Sequence, residues 1–136
     1  MQFVQNNILM VLIAVSSGLM LVWSFFGVRL RGLKEADCAA ALQLINHKNA
    51  FILDVREENE FKAGHILNAK LIPLTKLRDR LGELERYRDQ PILVVCRSGQ
   101  RSAAACTLLG KNGFGQAYNL QGGVLAWQKI GLPLER

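Results

Sequence analysis

Apolar positions follow two regimes along this chain. From Ile8 to Val28 they run almost unbroken, interrupted only by Ser16, Ser17, Gly18, Ser24 and Gly27, and no Asp, Glu, Lys or Arg precedes Arg29. Roughly 21 such residues make a helix of about 32 Å, the thickness of a bilayer core. The expectation is an N-terminal transmembrane anchor over 1–28, embedded in lipid through 8–28, with Trp23, Phe25 and Phe26 as its aromatic belt. A cleaved signal peptide is the competitor. It needs a basic start and a small-x-small cleavage site, and Met1 to Asn7 carries no basic side chain. Arg29, Arg31 and Lys34 follow the run, so the positive-inside rule puts the N-terminus outside and the rest in the cytoplasm.

Beyond a short linker over 29–33, apolar residues fall into helical periods or compact blocks. Cys38, Ala41, Leu42 and Ile45 recur at i, i+3, i+4, i+7, which predicts a helix from Lys34 to about His47. Phe51–Val55 predicts a strand, Glu57–Lys62 a short helix ending at Gly64, and Ala69–Ile72 a strand stopped by Pro73. Leu74, Leu77, Leu81 and Leu84 share one face of a helix predicted to run to about Tyr87. Pro91–Val95 is a continuous apolar block, as expected for a central strand of a parallel sheet. A helix over Arg101–Lys111, a strand over Gln116–Leu120 and a helix from Gly122-Gly123 to about Ile130 complete the series. Strand and helix alternate with short loops, the signature of an α/β fold with a parallel sheet and helices on both faces. The expected organisation is therefore an anchor over 1–28, a juxtamembrane linker over 29–33 and one domain over 34–136.

Composition narrows the chemistry. The net charge of +6 lies wholly after the apolar run, where it suits an anionic substrate or leaflet. Basic residues are scattered among acids without a basic stripe or stacking motif, so no nucleic-acid partner is expected. Three cysteines make no paired framework, which fits a reducing compartment. Two histidines, with no Cys or His pair at ligand spacing, leave no metal site, and nothing suggests a cofactor.

One segment carries chemistry. The block ending at Val95 delivers Cys96 to the end of a strand, and Arg97-Ser98-Gly99-Gln100-Arg101-Ser102 leads into an Ala-rich helix. A thiol there meets the free N–H groups and positive end of that helix, so it ionises easily and is nucleophilic. Sites in such sheets form at the carboxyl ends of strands, where Asp54 also lies. Cys38 and Cys106 sit on helix faces as core residues. Asp54, Arg56, Glu60 and His65 read as residues that fix neighbouring loops through ion pairs and caps.

Three segments together resemble the single-domain rhodanese family of sulfurtransferases. They are Leu53-Asp54-Val55-Arg56-Glu57-x-x-Glu60-Phe61-x-x-Gly64-His65-Ile66, the Cys96–Arg101 loop, and Leu120-x-Gly122-Gly123-Val124-x-Ala126-Trp127. With the apolar run in front, the chain resembles the membrane-anchored rhodanese-like proteins of bacterial inner membranes, which sets the expected location. The resemblance implies a Cys96 persulfide that carries sulfane sulfur from a small anionic donor, thiosulfate or a persulfide, to a thiol or cyanide acceptor. Residues 97–102 would cradle the persulfide, with Asp54 and Arg56 in support. The same fold serves dual-specificity phosphatases and some arsenate reductases. Those phosphatases place five residues between cysteine and arginine, whereas only Arg97 to Gln100 separate Cys96 from Arg101, a tighter ring suited to one sulfur atom. A third reading is a membrane-tethered docking module for a membrane-protein partner.

Overall fold

In the computed structural model the backbone is described for residues 1–30 and 33–136, and side chains for 1–24 and 33–136. The chain divides into two compact units, Met1–Gly32 and Leu33–Arg136.

The first unit holds helices α1 (Gln2–Asn6) and α2 (Ile8–Leu30). Among the described residues no helix is long and apolar enough to cross a membrane. This overturns the expected transmembrane helix and the inner-membrane location, and leaves the lipid contact over 8–28, the single-pass topology and the membrane-tethered docking alternative without support. Ser16, Ser17, Gly18 and Ser24 break the apolar run within its described part. Phe25, Phe26, Arg29 and Arg31, on which the aromatic belt and basic flank depended, have side chains outside the described residues, and the linker over 29–33 falls partly outside them too. Most of the described large apolar side chains of α2, among them Leu9, Leu12, Leu19 and Trp23, are exposed.

The second unit is built on five parallel strands. They are β1 (Lys34–Ala36), β2 (Phe51–Asp54), β3 (Lys70–Leu71), β4 (Ile92–Val95) and β5 (Ala117–Leu120), in the order β1-β5-β4-β2-β3. The most apolar strand, β4, takes the centre and is buried on both faces. Its side chains alternate between two cores. Ile92 and Val94 pack with Leu53, Leu77, Leu84 and Leu109 on one face. Leu93 and Val95 pack with Ile52, Ala41, Leu120 and Trp127 on the other. Helices α3 (Cys38–Lys48), α4 (Glu58–Ala63), α5 (Leu74–Leu77), α6 (Gln100–Lys111) and α7 (Gly123–Lys129) connect and cover the strands.

Two elements differ from their expected form. The helix expected from Lys34 starts at Cys38, because the Asp37 side chain accepts from the Ala40 N–H at 2.8 Å and caps it there. Lys34–Ala36 instead pairs with Tyr118–Leu120 as an edge strand. The helix expected over 74–87 is α-helical only through Leu77 and continues as 3-10 turns over Arg78–Tyr87. Leucine spacings of three and four fit both geometries, and Gly82 inside the segment lowers its α-helical preference.

Candidate active site

The alternation of β4 decides where the thiol points. Cys96 follows Val94 by two residues, so it turns to the same face, toward α6, and is 1% exposed. The chain then reverses through Gly99, whose φ of +103° is open to glycine and costly for other residues. That reversal starts α6 over the sulfur. The Gly99 N–H donates to Cys96 Sγ at 3.0 Å, and Ser102 Oγ lies 3.3 Å from it. Burial pushes the thiol up, but the Ser102 hydroxyl and the N–H groups of Ser102, Gly99 and Ser98 outweigh it, and the net shift is downward. The arrangement sets donors around the sulfur that favour its ionised form, the form in which a thiol is nucleophilic.

The loop's other side is fastened by the closing Gly-Gly segment. Val124 N–H donates to the Cys96 carbonyl at 2.9 Å and Leu125 N–H to the Arg97 carbonyl at 3.1 Å. Gly123 must be glycine here: its φ is +62°, and a Cβ would collide with the Cys96 and Arg97 carbonyl oxygens.

The cations expected around the sulfur have different fates. Arg101 is turned to Glu60 of α4 in a bidentate pair at 2.7 and 2.9 Å. That pair, chiefly, holds the Glu60 carboxyl at about 2. Glu60 also accepts from the Glu57 N–H, closing a capping box at the start of α4. Arg56, 5% exposed, grips the fully buried Asp54 through Nε and Nη2 and donates to the Gly64 carbonyl at 2.8 Å. Arg97 has no ion-pair partner among the described residues. It is exposed, and it lines a cleft of about 260 Å3 with Glu60, Val124, Leu125, Gln128 and Leu134. Ser98 and Gln100 are exposed on the loop, and Ser102 is fully buried.

His65 stays with the fold. Its ring stacks on Phe61, and its nitrogens bond the Phe61 carbonyl and the Glu135 carboxylate. Cys38 and Cys106 are buried in the two cores, and burial pushes the Cys106 thiol up to about 12. Among the described residues no three His, Cys, Asp or Glu side chains are grouped to hold a metal ion.

Sequence reasoning missed one participant. Asn119 on β5 is 3% exposed and pairs in register with Val94. Its Nδ2 donates to the Gly99 carbonyl at 3.0 Å, and its Oδ1 accepts from Ser102. The signal that could have found it is an asparagine inside the apolar strand just before Gly122-Gly123, at the carboxyl edge where sites form.

The Rhodanese-like domain family matches residues 37–130. The uncharacterized protein YqhL of Bacillus subtilis is 43% identical over 81 residues, 60% of this chain and 63% of its own, so the chain spans somewhat under two thirds of that relative. The thiosulfate sulfurtransferase GlpE of Pseudoalteromonas translucida is 32% identical over 95 residues, 70% of this chain and 89% of its own. The crystal structure of a rhodanese-related protein from Thermoplasma volcanium superposes with a TM-score of 0.67 at 33% identity, covering 75% of this chain and 97% of that one. The chain belongs to the rhodanese-like family.

Proposed function

We propose that this member of the rhodanese-like family is a sulfurtransferase working through a Cys96 persulfide, in a domain over 34–136. The observation that carries the reading is the sulfur itself, buried at the end of the central strand with the Gly99 N–H at 3.0 Å and the Ser102 hydroxyl at 3.3 Å. Donors placed there stabilise charge on sulfur and add no general base, which suits a nucleophile that attacks as a thiolate.

In the first step the Cys96 thiolate attacks the outer sulfur of an anionic donor such as thiosulfate. A sulfur–sulfur bond to Cys96 forms, the donor's own bond to that sulfur breaks, and sulfite leaves with the electron pair. The persulfide charge then sits one atom further out, within the ring of residues 97–102. Arg97, uncommitted at the cleft, draws the anion in, while Asp54 and Arg56 hold the neighbouring loop. In the second step a thiolate or cyanide attacks the outer sulfur and Cys96 leaves as thiolate, giving a new persulfide or thiocyanate.

The test is to incubate the full chain with thiosulfate and measure intact mass, alongside Cys96→Ser. One added sulfur in the wild type and none in the variant is expected. No added sulfur from thiosulfate or from glutathione persulfide overturns the reading.

A further inference from the structure

The Ser102 hydroxyl has one proton and two acceptors. Its Oγ lies 3.3 Å from Cys96 Sγ and in short contact with Asn119 Oδ1. The sense of the Asn119 amide is fixed by its other end, because Nδ2 meets the Gly99 carbonyl, which can only accept. Oδ1 therefore faces Ser102 and cannot donate. All three side chains are buried, and no water-exposed surface offers a substitute partner. The proton goes to Asn119 or to Cys96, never to both.

The charge on Cys96 decides which. A thiolate takes a charge-assisted hydrogen bond, roughly twice as strong as a neutral one, so the hydroxyl turns to sulfur and Asn119 Oδ1 goes without a donor. When Cys96 carries a second sulfur the negative charge moves outward. Sγ becomes a neutral divalent sulfur and a weak acceptor, and the hydroxyl turns back to Asn119.

We infer that Ser102 and Asn119 form a two-position hydroxyl switch that follows the sulfur load of Cys96, with Asn119 the positioning residue that favours the loaded state. The switch rests on the persulfide reading above. Only an O–H rotation is involved; no proton leaves Ser102. The amide supplies the resting acceptor when sulfur does not need the proton, and the hydroxyl returns to sulfur as Cys96 departs as a thiolate.

The test equilibrates the full chain with fixed thiosulfate-to-sulfite ratios and reads the loaded-to-free ratio by intact mass. Asn119→Ala removes the resting acceptor and lowers that ratio about fivefold, the worth of one neutral hydrogen bond. Ser102→Ala strips the thiolate of its hydroxyl donor and raises the ratio by a similar factor. In the Ser102→Ala background, Asn119→Ala has no further effect. Shifts of the same sign in the two single variants, or an Asn119 effect that persists without the hydroxyl, overturn the switch while leaving the persulfide intact. A wild type that takes up no sulfur overturns the persulfide reading and the switch with it. Should Asn119→Ala fail to fold, Ser102→Ala alone decides, since a fall or no change in its ratio refutes the inference.

Discussion

Replacing Asp54 by Asn should unfold this domain far more readily than its small change in shape suggests. Asp54 is fully buried and Arg56 is 5% exposed. Their contact is two-pronged, Nη2 to Oδ2 at 2.7 Å and Nε to Oδ1 at 3.0 Å, and Oδ1 also accepts the Arg56 N–H at 3.0 Å. Asparagine keeps the size and one oxygen but turns an NH2 toward the guanidinium. The Arg56 charge then loses the anion in direct contact with it and keeps the one amide oxygen, the Gly64 carbonyl and the more distant Glu60 carboxylate. Breaking a buried pair on one side costs about 3–5 kcal/mol, against about 0–1 kcal/mol for a pair at the surface. Total stabilities run about 5–15 kcal/mol, so the loss takes a large share. Urea unfolding followed by circular dichroism measures it, with an unchanged slope as the check that the unfolded state is the same. The double variant Asp54→Asn with Arg56→Met should recover much of the loss, because no charge is stranded. A single-variant loss below about 1 kcal/mol would refute the reasoning, since it means the pair is effectively solvated.

Three further outcomes are expected. Alkylation of Cys96 by iodoacetamide should reach half its limiting rate at a pH below the ordinary thiol range, while Cys106, pushed up to about 12 by burial, stays unmodified until the chain unfolds; equal rates at the two cysteines would contradict this. Glu60 is held at about 2, below its unfolded value, so its contribution to stability is present above about pH 4.5 and is lost as pH falls toward 2. Glu60→Gln should flatten the acid limb of a urea-midpoint titration in that window, at a cost near neutrality of at most about 1 kcal/mol because the pair is partly exposed. Gly123→Ala forces a Cβ against the Cys96 and Arg97 carbonyls at positive φ, and should cost about 1–3 kcal/mol and slow sulfur loading, whereas Gly110→Ala faces open space within α6 and should gain about 0.5–1 kcal/mol in thermal unfolding.

The elements with strong periodicity are legible in the residues alone. The β4 block, the Cys96 turn and the Gly122-Gly123 helix start all carry local signals, apolar continuity in one case and glycine in the others. Asp54 and Arg56, two residues apart and of opposite charge, are paired, whereas Arg101, expected beside the sulfur, is turned to Glu60 41 residues away, a pairing with no local signal. What escapes such a reading has no local signal. Lys34–Ala36 is three residues long, two of them charged, and becomes a strand only because β5 offers an edge. Asn119 looks like a poor strand residue until the register with Val94 sets it beside the Cys96 loop. The N-terminal run shows the opposite fault. Apolar continuity there argues for a membrane span, yet among the described residues no helix is long and apolar enough to cross one.

The closing Gly-Gly segment also fixes the electrical sign of the ring around the sulfur. In a trans peptide the carbonyl and the N–H of the same unit point opposite ways. Drawing the Cys96 and Arg97 oxygens out to the Val124 and Leu125 amides turns the Arg97 and Ser98 hydrogens away from α7, and that of Ser98 acts on the sulfur. The first turn of α7 satisfies its own orphan amides in doing so. The result is a one-sign receptor: the two carbonyl oxygens that a cation could coordinate beside the sulfur are already spent on α7, while the hydrogens remain for an anion. On the proposed sulfur transfer, the backbone's share of the preference for negative charge is thus set far downstream of the cysteine, and should survive exchange of any loop side chain that leaves those two carbonyls tied.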